Sequence, residues 1–157
     1  IQGYCFGVGL EFSLACDFRI VTKCAQLSLP EMKIGMIPGS GGSVRLSRMI
    51  GLSRVKDMIM RGKRISGEEA YNYGLASEVV EITELESTTK KLVKELCLVS
   101  PLAQRAIKTV LNASQDAPLH IAIELEGETY GRLRSSSDFK EGVQSFVEKR
   151  KPIYTGK

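Results

Sequence analysis

The sequence predicts an α/β protein, with short strands and helices mixed over residues 1–80 and an almost wholly helical region over 81–157. Three observations lead there. Glycine-rich bends, Gly3 to Gly9 and Pro38 to Gly42, punctuate the first half between short apolar runs. Helix start signals crowd the second half, where Thr83-Glu-Leu-Glu86, Ser100-Pro101 and Asp138-Phe-Lys-Glu141 each precede apolar residues at helical spacing. A chain of 157 residues suits one domain with a full core and is short for two independent ones.

In order, Ile1-Gln2 reads as a strand end and Gly3 to Gly9 as a loop. Leu10 to Cys16 reads as a short buried helix, because Phe12, Leu14 and Ala15 leave it little polar surface. Phe18 to Val21 alternates apolar and basic residues as a half-buried strand does, and Gln26 to Leu29 is a second strand stopped by Pro30. Gly41 to Ile50 and Leu52 to Arg61 read as helices divided at Gly51. Ser66-Gly-Glu-Glu69 and Thr83-Glu-Leu-Glu86 fit the capping box, in which hydroxyl and glutamate satisfy helix-start N–H groups reciprocally. Ser77 to Val80 between them is a strand. Pro101 suits a first helical position, where its missing N–H costs nothing. Leu102, Ala106 and Val110, with Ala103, Ile107 and Leu111, then form an apolar face. Phe139, Val143, Phe146 and Val147 make a further stripe, ended by Pro152. There is no internal repeat and no low-complexity stretch.

Apolar content of 43% and charged content of 25% are those of an ordinary soluble protein, and no apolar run approaches the about 20 residues that span a membrane. The formal charge of +4 is mild, with acidic residues among the basic ones, so it reads as a solvated surface rather than a nucleic-acid face. Cys5, Cys16, Cys24 and Cys97 show no CxxC spacing and lie mostly in apolar stretches, which points to buried free thiols in a reducing compartment. His120 is the only histidine, so a histidine triad or a zinc site has little to build on. The chain opens in what reads as the end of a strand, and the expectation is that an N-terminal portion of the fold precedes Ile1.

The residues that could carry chemistry cluster in the first half. Gly7-Val8-Gly9 bends into a helix whose first N–H groups lack intrahelical acceptors, an arrangement able to stabilise an oxyanion. Alone, such a bend is more often a tight turn that needs glycine for steric reasons. Glu11 sits in that helix's first turn, and Glu31 between Leu29-Pro30 and Met32. Each alone could be a surface residue. Burying a carboxylate is unfavourable unless it is hydrogen-bonded or functional, so two of them beside two glycine bends point to a site. Pro38-Gly39-Ser40-Gly41-Gly42 lacks the Gly-Lys-Ser/Thr ending of a phosphate loop. Its N–H groups could hold a small polar group such as a water beside Glu31, or the bend could serve tight packing. The basic tail Lys149-Arg150-Lys151 and Lys157 is a solvated end or a contact for an anionic cofactor group.

Together, Gly3 through Asp17, Leu29-Pro30-Glu31 through Gly42, and Phe139-Lys140-Glu141-Gly142 with Lys149 to Pro152 resemble the crotonase, or enoyl-CoA hydratase/isomerase, superfamily. The resemblance runs from end to end of the chain. It implies a spiral of strand–strand–helix units, of which residues 1–80 would be the C-terminal part, followed by a helical trimerisation region over 81–157 that forms homotrimers or dimers of trimers. It implies an acyl-CoA thioester as substrate, with coenzyme A part of that substrate and no separate cofactor, no metal, no membrane and no nucleic-acid partner. The implied setting is the bacterial cytoplasm or the mitochondrial matrix. By resemblance, the N–H of Val8 is one of two oxyanion donors, the other lying upstream of Ile1, and Gly7 and Gly9 let the backbone approach the substrate. Family members often have glycine where this chain has Val8, whose β-branch could narrow the pocket. Glu11 and Glu31 match the hydratase pair, with Glu11 activating water, Glu31 protonating the α-carbon and Gly39 N–H helping to hold the water. Isomerisation, hydrolytic ring opening or an RNA-associated, non-catalytic role are the alternatives. The 157-residue chain on its own is expected to be nearly inactive.

Overall fold

Strands of two or three residues are too short to persist except within sheets, and the computed structural model, which describes residues 1–157, places all five in two of them. They are β1 (Tyr4–Phe6), β2 (Ile20–Thr22), β3 (Gln26–Ser28), β4 (Ile65–Ser66) and β5 (Glu78–Val80). One sheet has the order β1-β3-β4 and the other pairs β2 with β5. β1 and β3 are parallel with Cys5 opposite Leu27, β3 and β4 antiparallel with Leu27 opposite Ile65, and β2 and β5 parallel with Val21 opposite Val79. The chain therefore leaves the first sheet for the second after β1, returns for β3 and β4, and leaves again for β5. Parallel neighbours require a crossover, and α1 (Val8–Leu14) lies in the one between β1 and β3.

Two compact units result, Ile1–Lys90 and Lys91–Lys157. In the first, Leu10, Leu27, Leu29, Leu46, Met58 and Ile65 are fully buried in one core. α2 (Gly42–Ile50) contributes Gly42, Leu46 and Ile50, four apart and so on one face, and α3 (Leu52–Met60) contributes Val55, Met58 and Ile59. Gly51 ends α2 and begins α3, with its N–H on Ser47 O and its carbonyl accepting from Val55 N, and its φ of 79° favours glycine. α4 (Gly67–Asn72) starts at the expected capping box: Ser66 Oγ accepts from Glu69 N at 3.1 Å and Glu69 Oε2 from Ser66 N at 2.9 Å. The half-buried Arg19 guanidinium donates to the carbonyls of Ser13, Cys16 and Leu75, tying the end of α1 to the segment before β5. Its burial lowers its pKa.

α5 (Leu85–Leu96) bridges the boundary, and α6 (Pro101–Ser114), α7 (Leu119–Leu133) and α8 (Ser137–Val147) make up most of the second unit. Asp138, nearly fully buried, accepts from Ser100 Oγ at 2.6 Å and from the N–H groups of Thr155 and Gly156 at 2.8 and 3.1 Å. Ser100 Oγ meanwhile accepts from Ala103 N, capping α6. Glu141 accepts from Arg150 Nη1 at 2.5 Å and from Ile153 N at 2.8 Å. The C-terminal tail is thus clasped to the start of α8, and the Arg150 charge is paired within the chain rather than free for an anionic ligand.

Several expectations need correction. Tyr4–Phe6 is a strand, not loop, because it pairs with β3; Ile1-Gln2 is not in a strand, although Ile1 O accepts from Thr22 N. α1 begins at Val8 and buries one face only, Leu10, Glu11 and Leu14, while Phe12 is 74% exposed. The strand expected at Phe18 to Val21 is β2, Ile20–Thr22, buried throughout. The box expected at Thr83 lies two residues earlier, where Glu81 and Glu84 cap a 3₁₀ turn over Ile82–Glu84. Ser136, not Asp138, caps α8. That helix buries Asp138 and Ser145 and exposes the Phe139, Val143, Phe146 and Val147 stripe, while in α6 only Val110 of the expected face is buried. All four cysteines are free thiols, but only Cys5 is buried.

The clasp is sensitive to acid. Arg150, then Ile153 N–H, holds the Glu141 carboxyl down to about 2 from its usual 4.5, and the Ser100 hydroxyl with the tail N–H groups lowers Asp138. Depressed carboxyl pKa values give stability that is present above the unfolded values and lost as pH falls through the folded ones. The amides of Ile153, Thr155 and Gly156 should therefore lose hydrogen-exchange protection between about pH 4.5 and 2, whereas those of Asp138→Asn should do so less steeply. NMR-detected exchange across that range measures it.

Candidate active site at the start of α1

Residues on three segments converge on the first turn of α1. The bend before it is fixed by Gly7, whose N–H donates to Ser28 O at 3.0 Å and whose carbonyl accepts from Glu11 N at 3.0 Å. That leaves the N–H groups of Val8, Gly9 and Leu10 without intrahelical acceptors at the positive end of the helix. The Val8 side chain is 69% exposed.

Glu11 projects from this turn into the core and is only 2% exposed. Its Oε1 accepts from Ser40 N at 2.7 Å and from Gly42 N at 2.9 Å. Each hydrogen bond to a charged group contributes about 1.5–3 kcal/mol, enough together to offset much of the penalty of burying the carboxylate. From the sequence, the N–H groups of the second bend are expected to hold a small polar group such as a water beside Glu31, or to serve tight packing. The structure gives two of them to Glu11 instead. Gly42 is where the packing is closest, since a Cβ there would stand 2.7 Å from Glu11 Cγ and 2.8 Å from Oε1.

Glu31 opens the 3₁₀ turn Glu31–Ile34 and is half-buried. Its Oε1 lies 3.0 Å from where a Cβ on Gly7 would sit, so the residue that starts α1 is also the wall against which this carboxylate packs. Its Oε2 is buried and has no hydrogen-bond partner. The two glutamates thus flank one helix start in different surroundings, one held by fixed backbone donors and the other with an oxygen unpaired. Gly39 is exposed and directly precedes Ser40, whose N–H reaches Glu11 Oε1. A shallow depression on α3, lined by Ser53, Arg54, Lys56, Asp57, Met60 and Arg61, contains neither glutamate.

A family model described as enoyl-CoA hydratase/isomerase matches residues 1–157. The chain belongs to that family. Among its relatives, the Bacillus subtilis protein YngF is 36% identical over 156 residues, covering 99% of the chain and 60% of YngF. The carnitinyl-CoA dehydratase of Salmonella paratyphi A is 36% identical, over 100% of the chain and 62% of that enzyme. The solved enoyl-CoA hydratase of Bacillus anthracis superposes with a TM-score of 0.96 at 39% identity, over 99% of the chain and 60% of that structure. An enoyl-CoA hydratase structure from Geobacillus kaustophilus gives 0.94 at 36% identity with the same coverage. The fold is thus that of the crotonase spiral with a helical C-terminal region, and the chain spans about 60% of the length of the relatives it matches.

Gly42→Ala should force Glu11 off its two donors. Overpacking of this kind costs about 1–3 kcal/mol, so the midpoint of urea unfolding should fall accordingly. In a Glu11→Ala background, which removes the atoms in the way, the same Gly42→Ala change should cost much less than it does in the wild type.

Proposed function

We propose that this chain carries the acid–base half of an enoyl-CoA hydratase, which adds water across the double bond of a trans-2-enoyl-CoA thioester. What supports the reading is the convergence of two unlike glutamates on a helix start rich in unpaired N–H groups. In the proposed reaction the thioester carbonyl lies against Val8 N–H, and Gly7 and Gly9 admit its approach. As water adds to the β-carbon, negative charge develops on the thioester oxygen, where a positioned N–H is worth about 2.7–4 kcal/mol. Glu11, oriented by Ser40 and Gly42, takes a proton from the attacking water. Glu31, protonated at the outset, delivers its proton to the α-carbon from its unpaired side; Glu11 then releases the proton it took and Glu31 regains one through solvent, so that one water is added in all. Gly39 N–H helps to hold the water. The scheme uses no cofactor beyond the coenzyme A that the substrate brings.

The second oxyanion N–H donor and the rest of the thioester's binding surface belong to the whole protein, as does its assembly. We read the exposed apolar residues of the helical unit, Phe146 and Val147 among them, as the surface of a homotrimer or dimer of trimers. Sedimentation of the full-length protein should give a mass that is a multiple of three protomers, and a monomer at micromolar concentration would refute this.

In the full-length protein, Glu31→Gln should lower kcat for crotonyl-CoA hydration by about 10²–10⁴ with little change in KM, because it removes a proton transfer and little ground-state contact. Loss of the conjugated thioester's absorbance reads the rate. An unchanged kcat would overturn the role given to Glu31. Turnover of isomeric enoyl-CoAs in place of hydration would overturn the hydratase reading.

A further inference from the structure

The bend at Pro38–Gly42 holds Glu11, which raises the matter of what holds the bend. With glycine at 39, 41 and 42 its backbone has many accessible conformations, and only some aim two N–H groups at one oxygen. The donors, Ser40 N and Gly42 N, lie on either side of the Ser40–Gly41 peptide, so the direction they share depends on how that peptide and the next are turned.

Both peptides are held from position 45, the Gly41 carbonyl by the ordinary first backbone bond of α2 and the Ser40 carbonyl by the side chain. Arg45, one turn into α2, donates its own backbone N–H to Gly41 O at 3.0 Å and its Nη1 to Ser40 O at 2.9 Å. Its guanidinium folds back against Gly41, where a Cβ would meet Nη1 and Cζ. Gly41, at φ 88°, is therefore bare on the side Arg45 covers as well as left-handed. Helix stability does not account for this placement, since a cation near a helix start is opposed by the helix dipole. The consecutive carbonyls fixed by Arg45 belong to the same stretch of chain whose N–H groups fix Glu11.

We propose that Arg45 is a positioning residue for Glu11, acting through the bend: its guanidinium holds the Ser40 carbonyl, while the first backbone bond of α2 holds that of Gly41, so that the Ser40 and Gly42 N–H groups stay aimed at the carboxylate. Its effect on turnover rests on the hydratase reading of Glu11, whereas its hold on the bend does not.

The test uses the full-length protein with Arg45→Ala, Arg45→Lys, Glu11→Gln and the Arg45→Ala/Glu11→Gln pair. Amide hydrogen exchange of Ser40 and Gly42 should speed up about tenfold in Arg45→Ala, the equivalent of one ordinary hydrogen bond, while Leu46 in α2 and Leu27 in β3 keep their protection. Arg45→Lys, whose ammonium can still donate to Ser40 O, should restore most of it. For crotonyl-CoA hydration, kcat should fall about tenfold or more in Arg45→Ala with KM little changed, and Arg45→Ala should add nothing in the Glu11→Gln background. Unchanged exchange at Ser40 and Gly42 would overturn the proposal. So would equal acceleration along all of α2, which would mark a purely structural role, or a full additional loss of kcat in the Glu11→Gln background. A wild-type protein that does not hydrate crotonyl-CoA would remove the hydratase reading, and the exchange measurements would still decide whether Arg45 holds the bend.

Discussion

A carboxylate in a protein core must find donors, and the demand made by Glu11 organises much of the first unit. The donors come from a bend 29 residues further along, so the first helix and the second bend have to be brought together for the charge to be tolerated. Meeting that demand removes the side chain at Gly42, puts the start of α2 against α1, and turns the bend's peptides in one direction. Packing then follows from the placement. With Gly42 facing Glu11, the same side of α2 carries Leu46 and Ile50 into the core.

The second unit repeats the device with another residue. Asp138 is also buried, and its oxygens are also taken up by backbone N–H groups from a distant segment, here the tail at Thr155 and Gly156, with the Ser100 hydroxyl in addition. In each unit a buried carboxylate serves as the meeting point of segments that share no sheet. Glu31 departs from this arrangement. One of its oxygens is buried with no partner, an unfavourable state for a residue with only a structural role.

Local chemistry was well encoded, and that explains what could be read from the residues. Ser66 and Glu69 form their box from neighbouring atoms, Pro101 and Ser100 start α6 as a pair, and Gly51 divides two helices within a residue of the expected boundaries. Tyr4–Phe6 escaped because nothing in Tyr-Cys-Phe makes a strand until Gln26–Ser28 arrives beside it. Periodicity gave the stripe on α8 but not which side would be covered; the distant partners of Asp138 decide that. At the site, the glutamates stood out as apolar-context carboxylates. The allocation of the second bend's N–H groups to Glu11 did not, since a run of glycines shows that a backbone is available and not what will approach it.

Gly51 gives the arrangement a mechanical aspect. As the end of one helix and the start of the next, with no intervening loop, it leaves α2 and α3 as the two arms of an elbow. Slack that a longer connection would absorb has nowhere to go. The seating of Val55, Met58 and Ile59 on the outer arm therefore sets, by leverage, the tolerance to which the inner arm presents its first residues. The residues that seat α3 in the core therefore also bear on the angle at which α2 brings Gly42 to Glu11, with no flexible joint between them.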